Sequence, residues 1–206
     1  MTELCKLAQK YGTDKCPQIK HFYTPYYYRL LKDRRDSIKK VLELGVGWYK
    51  GIEHTKVIYD IILKRHYHQG ASLKMWRDFF PNAQIYGADI RPETMFEDER
   101  IKTFLCDETK EEDLKKLIKQ TGADIDLFVD DGSHEKEHQI FACQTLMPLF
   151  KKDIIYIIED ARFPEEIVQA LNQYDCQIPK ISRRFKGSRL VVVKNKYEII
   201  SNNSKL

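Results

Sequence analysis

Strand-like and helix-like segments alternate along most of this chain, and the strand-like ones stop at carboxylates or at a glycine turn. "KKVLELGVG" (39–47) is a short apolar run that closes in glycines. "AQIYGADI" (83–90), "IKTFLCD" (101–107), "DIDLFVDD" (124–131) and "DIIYIIED" (153–160) each carry β-favouring residues into one or two acids. Between them, "SLKMWRDFF" (72–80) sets Leu73, Trp76, Phe79 and Phe80 at helical spacing, and Pro81-Asn82 ends it. "KEEDLKKLIKQTG" (110–122) predicts an amphipathic helix closed by Gly122. "EKEHQIFACQTLMPLF" (135–150) predicts a helix burying Ile140, Phe141, Leu146 and Leu149, and "PEEIVQALNQY" (164–174) one with proline in its first turn. Such alternation predicts an α/β fold, a doubly wound and mostly parallel sheet with helices on both faces. The tail 179–196 reads as two strands around Lys186-Gly187, an antiparallel hairpin that brings the sheet to seven strands.

A chain of 206 residues is long enough for one domain with a sizeable core, so 1–206 is expected to form a single unit. Residues 1–36, including "HFYTPYYYRLLKDR" (21–34), lie outside the alternation and are expected to form a helical cap. Residues 48–70 are too many for a βα loop of roughly two to six residues and are expected to be an insertion. The last ten residues, "YEIISNNSKL", are expected to fray. The net charge of +4 comes from intermixed acids and bases, which points to no nucleic-acid partner. No apolar stretch approaches the ~20 residues of a membrane span, and the first residues have no apolar core of a signal peptide. Five scattered cysteines without C-x-x-C spacing predict reduced thiols and a cytoplasmic protein. The sequence leaves homo-oligomerisation open.

In open α/β sheets, ligands bind beyond the carboxyl ends of the strands. Those ends here carry Glu43, Gly45 and Gly47, then Asp89, then Asp107, then Asp130, Asp131 and His134, and finally Glu159 and Asp160. Any one of these is compatible with a solvated loop residue, but five strand ends in step predict one shared edge. Glycines let a ligand approach the backbone, and an acid after the second strand can accept hydrogen bonds from both hydroxyls of a ribose. The stretch "HEKEH" (134–138) also fits the H-E-x-x-H pattern of zinc proteases. Against that stand the charged Lys136 and Glu137 between the histidines, the lack of a third ligand at recognisable spacing, and a start at a strand end.

"VLELGVG", "IYGADI", "FVDDGSH" and "YIIEDA" resemble the motifs of class I S-adenosylmethionine (SAM) methyltransferases. More narrowly, "YGTDK", "HFYTPYYYRLL", "GASLKMWRDFFPNAQIYGADI" and "DDGSHEKEHQ" resemble the sugar O-methyltransferases of the macrocin and mycinamicin type, over residues 8 to 195. That resemblance implies a Rossmann-like fold, SAM and Mg²⁺ (or Mn²⁺) as cofactors, and a sugar or glycan acceptor. It implies a SAM-contacting turn at Glu43, Gly45 and Gly47, with Ser72 near the methionine end. Asp89 would bind the ribose, and Asp107 would lie near the adenine, within Cys106-Asp107-Glu108 where the family has Gly-Asp-Gln. Asp130 would join the cofactor contacts, and Lys15, Tyr11 and His21 would close over them. The metal would be held by Asp131, Glu159 and Asp160. Mg²⁺ takes oxygen ligands and keeps exchangeable waters, so sugar hydroxyls can replace them, become more acidic and line up with the SAM methyl. His134, beside Asp131, would take the hydroxyl proton, and Ser133 would cap a helix. A catechol-like diol is an alternative acceptor, and a non-catalytic SAM- or glycan-binding module is the alternative outside enzymes.

Overall fold

The computed structural model describes residues 1–47, 69–150, 153–182 and 189–196. The expected insertion at 48–70 therefore lies almost wholly outside the described residues, as do the last ten residues and Lys186-Gly187.

Two helices lead the chain. Helix α1 (Glu3–Tyr11) starts where the Thr2 hydroxyl accepts the Cys5 N–H and stops at Gly12, whose φ of 78° is left-handed. Helix α2 (Tyr23–Leu31) buries Tyr23, Thr24, Tyr27 and Leu31. The β/α alternation then follows as β1 (Lys40–Leu44), α3 (Ala71–Phe79), β2 (Gln84–Asp89), β3 (Glu97–Asp98), β4 (Ile101–Leu105) and α4 (Glu111–Thr121). It continues through β5 (Leu127–Asp130), α5 (Lys136–Leu146), β6 (Ile155–Ile158), α6 (Pro164–Ala170), β7 (Asp175–Gln177) and β8 (Val191–Lys194). The central strands β5 and β6 are buried at every residue, as parallel strands covered on both faces must be.

The sheet runs β3-β4-β2-β1-β5-β6-β8-β7. β4, β2, β1, β5 and β6 are parallel, while β3 is antiparallel to β4, and β8 is antiparallel to both β6 and β7. Residues from α1, α2 and α3 (Leu4, Tyr27, Trp76, Phe79) cover one face, with Val41, Val129 and Ile157 beneath them. Residues from α4, α5 and α6 (Leu117, Cys143, Ile167) cover the other, over Leu42, Phe128 and Ile158. The doubly wound sheet and the helical N-terminal segment thus match the sequence expectation.

Three details differ. Among the described residues the sheet has eight strands, where seven were expected, because Glu97 and Asp98 pair with Lys102 and Ile101. Thr103 pins that turn, its hydroxyl accepting the Phe96 N–H at 2.6 Å and donating to the Phe96 carbonyl at 2.7 Å. The first strand of the terminal hairpin is Asp175–Gln177, upstream of the expected start at 179, and β8 inserts between it and β6. Pro179 has no N–H to give to a ladder, so pairing ends before it. Finally, α5 ends at Leu146, because Pro148 tightens the chain into the 3₁₀ turn Met147–Leu149. Its deepest residues are Gln139, Ala142, Cys143 and Leu146, whereas Ile140 and Phe141 are only half-buried.

Topology fixes where a ligand can sit. β1 lies between β2 and β5, and the chain departs from it in opposite directions on the two sides. The crevice at such a switch point is where open α/β sheets bind ligands.

Candidate active site

Two cavities open over this crevice. The first, about 440 Å³, is lined by Gly45, Asp89, Arg91, Cys106, Asp107, Glu108, Ser133 and His138 among others. The second, about 270 Å³, is lined by Lys15, His21, Gly47, Ser72, Asp131, His134, Glu159 and Asp160 among others. Gly45, Asp89 and Gly132 line both, so the two form one trough across the ends of β1, β2 and β5.

Gly45 has a φ of +86°, and a Cβ placed on it would lie 1.9 Å from the Asp131 carbonyl oxygen. The Gly45 N–H donates to the Ala88 carbonyl at 2.8 Å and the Asp131 N–H to Leu44 at 3.0 Å. A glycine is therefore required to bring the β1 turn against the loop that carries Asp131. Asp89 organises the same turn, since its two carboxylate oxygens accept the N–H groups of Val46 and Arg91, each at 3.0 Å. At the far end of the trough, Asp107 accepts from the Thr109 N–H and hydroxyl. With Lys110 alongside, these bonds hold its carboxyl below the usual range.

Under the second cavity lies a buried set of acids. Glu43 is fully buried and accepts from the Ser72 hydroxyl and the Trp76 indole, both at 2.5 Å. Glu159, also fully buried, accepts from the Tyr27 hydroxyl at 2.7 Å and the Lys15 ammonium at 2.7 Å. The same ammonium, only 1% exposed, donates to Asp131 at 2.5 Å and lies 3.7 Å from Glu43. Tyr23 donates to Asp160 and stacks on His21 at a centroid separation of 4.8 Å. His134 Nε2 bonds Asp131 Oδ1 at 2.9 Å, and its Nδ1 lies 4.0 Å from Asp160 Oδ2.

Charge follows from this packing. Burial on its own would depress the Lys15 ammonium, but Asp131, Glu159, Glu43 and Asp14 outweigh it and hold its pKa well above the ordinary lysine value. Burial works to raise Asp131, yet Lys15 and His134 pull it well below a normal carboxyl. Burial dominates at Glu159 and Glu43, which rise because one ammonium is shared among three carboxylates. Burial would lower the His134 imidazole, but its bond to Asp131 and the charge of Asp160 raise it on balance. His134 (φ 62°) and Asp160 (φ 47°) are both left-handed, a conformation that non-glycine residues rarely adopt.

One oxygen each of Asp131 and Asp160 and a ring nitrogen of His134 lie within 4.8 Å of one another, close enough to share a cation. Glu159 reaches the same cavity but stands behind that trio, with Tyr27 and Lys15 on its two oxygens. The histidines of "HEKEH" do not converge. His134 precedes α5 and faces the acids, while His138 lies in the helix, lines the other cavity and pairs with the Ser133 hydroxyl at 2.9 Å.

Of the residues singled out in the sequence, Lys15, Glu43, Gly45, Gly47, Ser72, Asp89, Asp107, Asp131, His134, Glu159 and Asp160 all line the trough or lie directly beneath it. Two do not. The Tyr11 hydroxyl donates to Asp78 of α3 at 2.5 Å, so it ties α1 to α3 instead of closing over the crevice. Asp130 points to the opposite face of β5, fully buried, and accepts from Tyr156 at 3.3 Å. Ser133 also departs from its expected place. α5 is capped at Glu135, whose N–H donates to the Ser133 hydroxyl at 3.3 Å. Sequence reasoning missed Tyr23, Tyr27 and Trp76 as supports of the acids, although the i, i+4 spacing of the tyrosines was a usable signal. It also missed Glu108, which accepts the Ser133 N–H at 2.8 Å and closes one wall of the larger cavity.

No family model matches the chain. It is 35% identical over 158 residues to mycinamicin VI 2''-O-methyltransferase of Micromonospora griseorubida, a match covering 77% of this chain and 36% of that protein. It is 33% identical over 158 residues to demethylmacrocin O-methyltransferase of Streptomyces fradiae, again covering 77% and 36%. The chain thus spans little more than a third of the length of the curated relatives it matches. The MycE methyltransferase of the mycinamicin biosynthetic pathway, solved in complex with Mg and SAH, superposes with a TM-score of 0.70 at 28% identity, covering 95% of this chain and 55% of that one. In sequence and in fold, this chain is similar to O-methyltransferases of the mycinamicin and macrocin kind.

Proposed function

We propose that this protein is a SAM-dependent, divalent-metal-dependent O-methyltransferase that methylates a sugar hydroxyl of a glycan or glycoside. The observation that carries this is the continuity of the trough. Asp107 sits at one end, the Asp131, His134 and Asp160 cluster at the other, with Gly45, Asp89 and Gly132 shared between. The similarity to mycinamicin VI 2''-O-methyltransferase and demethylmacrocin O-methyltransferase, and to a structure solved with Mg and SAH, supports the same reading.

The chain's residues suit the roles. Asp89 keeps lone pairs for ribose hydroxyls after binding Val46 and Arg91. Asp131 and Asp160, with Glu159 in the same cavity behind them, offer carboxylate oxygens that fit a hard cation such as Mg²⁺ or Mn²⁺. When bound, such an ion supplies Lewis acidity that lowers the pKa of a coordinated sugar hydroxyl. Asp131 orients His134 through Nε2, and His134 is the base that takes the hydroxyl proton. Tyr23 and Tyr27 fix Asp160 and Glu159 from below. Among the described residues no helix is long and apolar enough to cross a membrane.

The test is transfer of labelled methyl from SAM to a panel of sugars and glycosides, with a catechol included. Activity on a sugar that EDTA abolishes and Mg²⁺ or Mn²⁺ restores is the expected result. Full activity in chelator, or activity on the catechol alone, overturns it.

A further inference from the structure

We propose that Lys15 is a built-in competing cation, which holds down the affinity of the acidic centre for its divalent metal so that the metal exchanges with solution. The inference rests on the metal reading above.

Position is the first argument. The Lys15 ammonium donates to Asp131 at 2.5 Å and to Glu159 at 2.7 Å, two of the three carboxylates proposed as ligands. It therefore uses lone pairs that a metal would also need, and it places a unit positive charge one carboxylate away from that metal. Permanence is the second argument. The side chain is 1% exposed, and the Lys15 carbonyl accepts the N–H groups of Tyr23 and Thr24 at 3.1 and 3.0 Å. The Lys15 backbone thus anchors the N-terminus of α2 and fixes the point from which the buried side chain reaches the acids. Chemistry is the third. An ammonium is a compact point charge with three donors, suited to sharing carboxylates with a second cation, where a neutral donor would leave them to the metal alone.

Charge repulsion here has a definite sign. Even with water-like screening, a unit charge this close to a dication is worth about tenfold in affinity, and more where burial thins the screening. Lys15→Met keeps the length and removes the charge. It should bind Mn²⁺ at least about tenfold more tightly than the wild type in isothermal calorimetry of the whole chain. Lys15→Arg keeps the charge and should restore near-wild-type affinity. Far-ultraviolet circular dichroism and the melting temperature serve as the controls for fold integrity.

If Lys15→Met does not fold, the wild type gives an independent readout. In ¹⁵N-lysine-labelled protein, the resonance missing from the Lys15→Arg spectrum should shift on addition of Mg²⁺. Unaltered Mn²⁺ affinity in a folded Lys15→Met, weaker affinity, or a Lys15 signal indifferent to Mg²⁺ overturns the inference alone. Absence of binding in both wild type and Lys15→Met brings down the metal reading and this inference with it. Binding that appears only in Lys15→Met supports it.

Discussion

Gly45→Ala separates two reasons for a glycine at the end of β1. If the glycine serves only to let a ligand near the backbone, alanine should weaken cofactor binding and leave the ligand-free fold intact. The geometry gives a different expectation. The new Cβ would sit 1.9 Å from the Asp131 carbonyl oxygen, and ordinary contact begins near 3.4 Å, so the two loops must part by 1.5 Å (3.4 − 1.9). Gly122 is a control for positive φ, its +87° being close to the +86° of Gly45. A Cβ there would meet only the ends of Asp124 and Lys40, at 2.6 and 2.8 Å, and these can swing aside. Both alanines incur a backbone penalty of ~1–3 kcal/mol. Gly45→Ala adds an overpacking cost of ~1–3 kcal/mol, because the obstructing atom is backbone. For a domain of this size each kcal/mol moves Tm by roughly 2–4 °C. Gly45→Ala should therefore melt about 2–12 °C below Gly122→Ala in calorimetry without ligands. It should also bind Mn²⁺ more weakly, since the displaced loop carries Asp131. Equal melting temperatures for the two variants would refute the packing argument and return Gly45 to a purely ligand-facing role.

Asp89→Ala should weaken SAM binding by roughly 1–3 kcal/mol, as lost ribose hydrogen bonds and a loosened Val46 turn require, and titration calorimetry showing no change would exclude that assignment. His134→Ala should slow methyl transfer by about 10²–10⁴-fold with SAM and metal affinity intact, and its residual rate should climb with pH. Loss of metal binding in that variant would make the imidazole a ligand instead. Asp130 gives a pH signature. Burial first, then the charge of Glu108, raises its carboxyl to about 8, against ~3.9 in the unfolded chain. A raised folded pKa means that the contribution of Asp130 to stability is complete below about pH 4 and is lost as pH rises through about 8. Urea unfolding of Asp130→Asn should lack that part of the slope, and a wild-type pH profile in the variant would argue that Asp130 is not protonated when folded.

The sheet was legible because its buried strands are unbroken apolar runs ending in acids, a pattern that only a two-face-covered parallel strand requires. The crevice was legible for the same reason, since strand direction puts every such end on one edge. What escaped were partnerships between distant residues. Nothing local tells Glu159 that its donors are Tyr27, 132 residues away, and Lys15, 144 away. The hydroxyls of "HFYTPYYY" read equally as core or as sugar platform, and only their bonds to Asp160 and Glu159, just beyond β6, decide that Tyr23 and Tyr27 serve carboxylates. Gly45 carried a true signal with an incomplete cause, because the atom it makes room for belongs to Asp131. Tyr11 and Asp130 sat in suggestive company but face α3 and the far side of β5.

His134 and Asp160 hold left-handed backbone angles of 62° and 47°. A side chain in that region costs roughly 1–2 kcal/mol that glycine would not incur. Relief of that strain alone would favour glycine at both positions, against the bonds to Tyr23 and Asp131 that the two side chains make. Laboratory evolution of this protein toward heat resistance would need an activity screen in parallel, because any change that relieves this strain lies where its chemistry is placed.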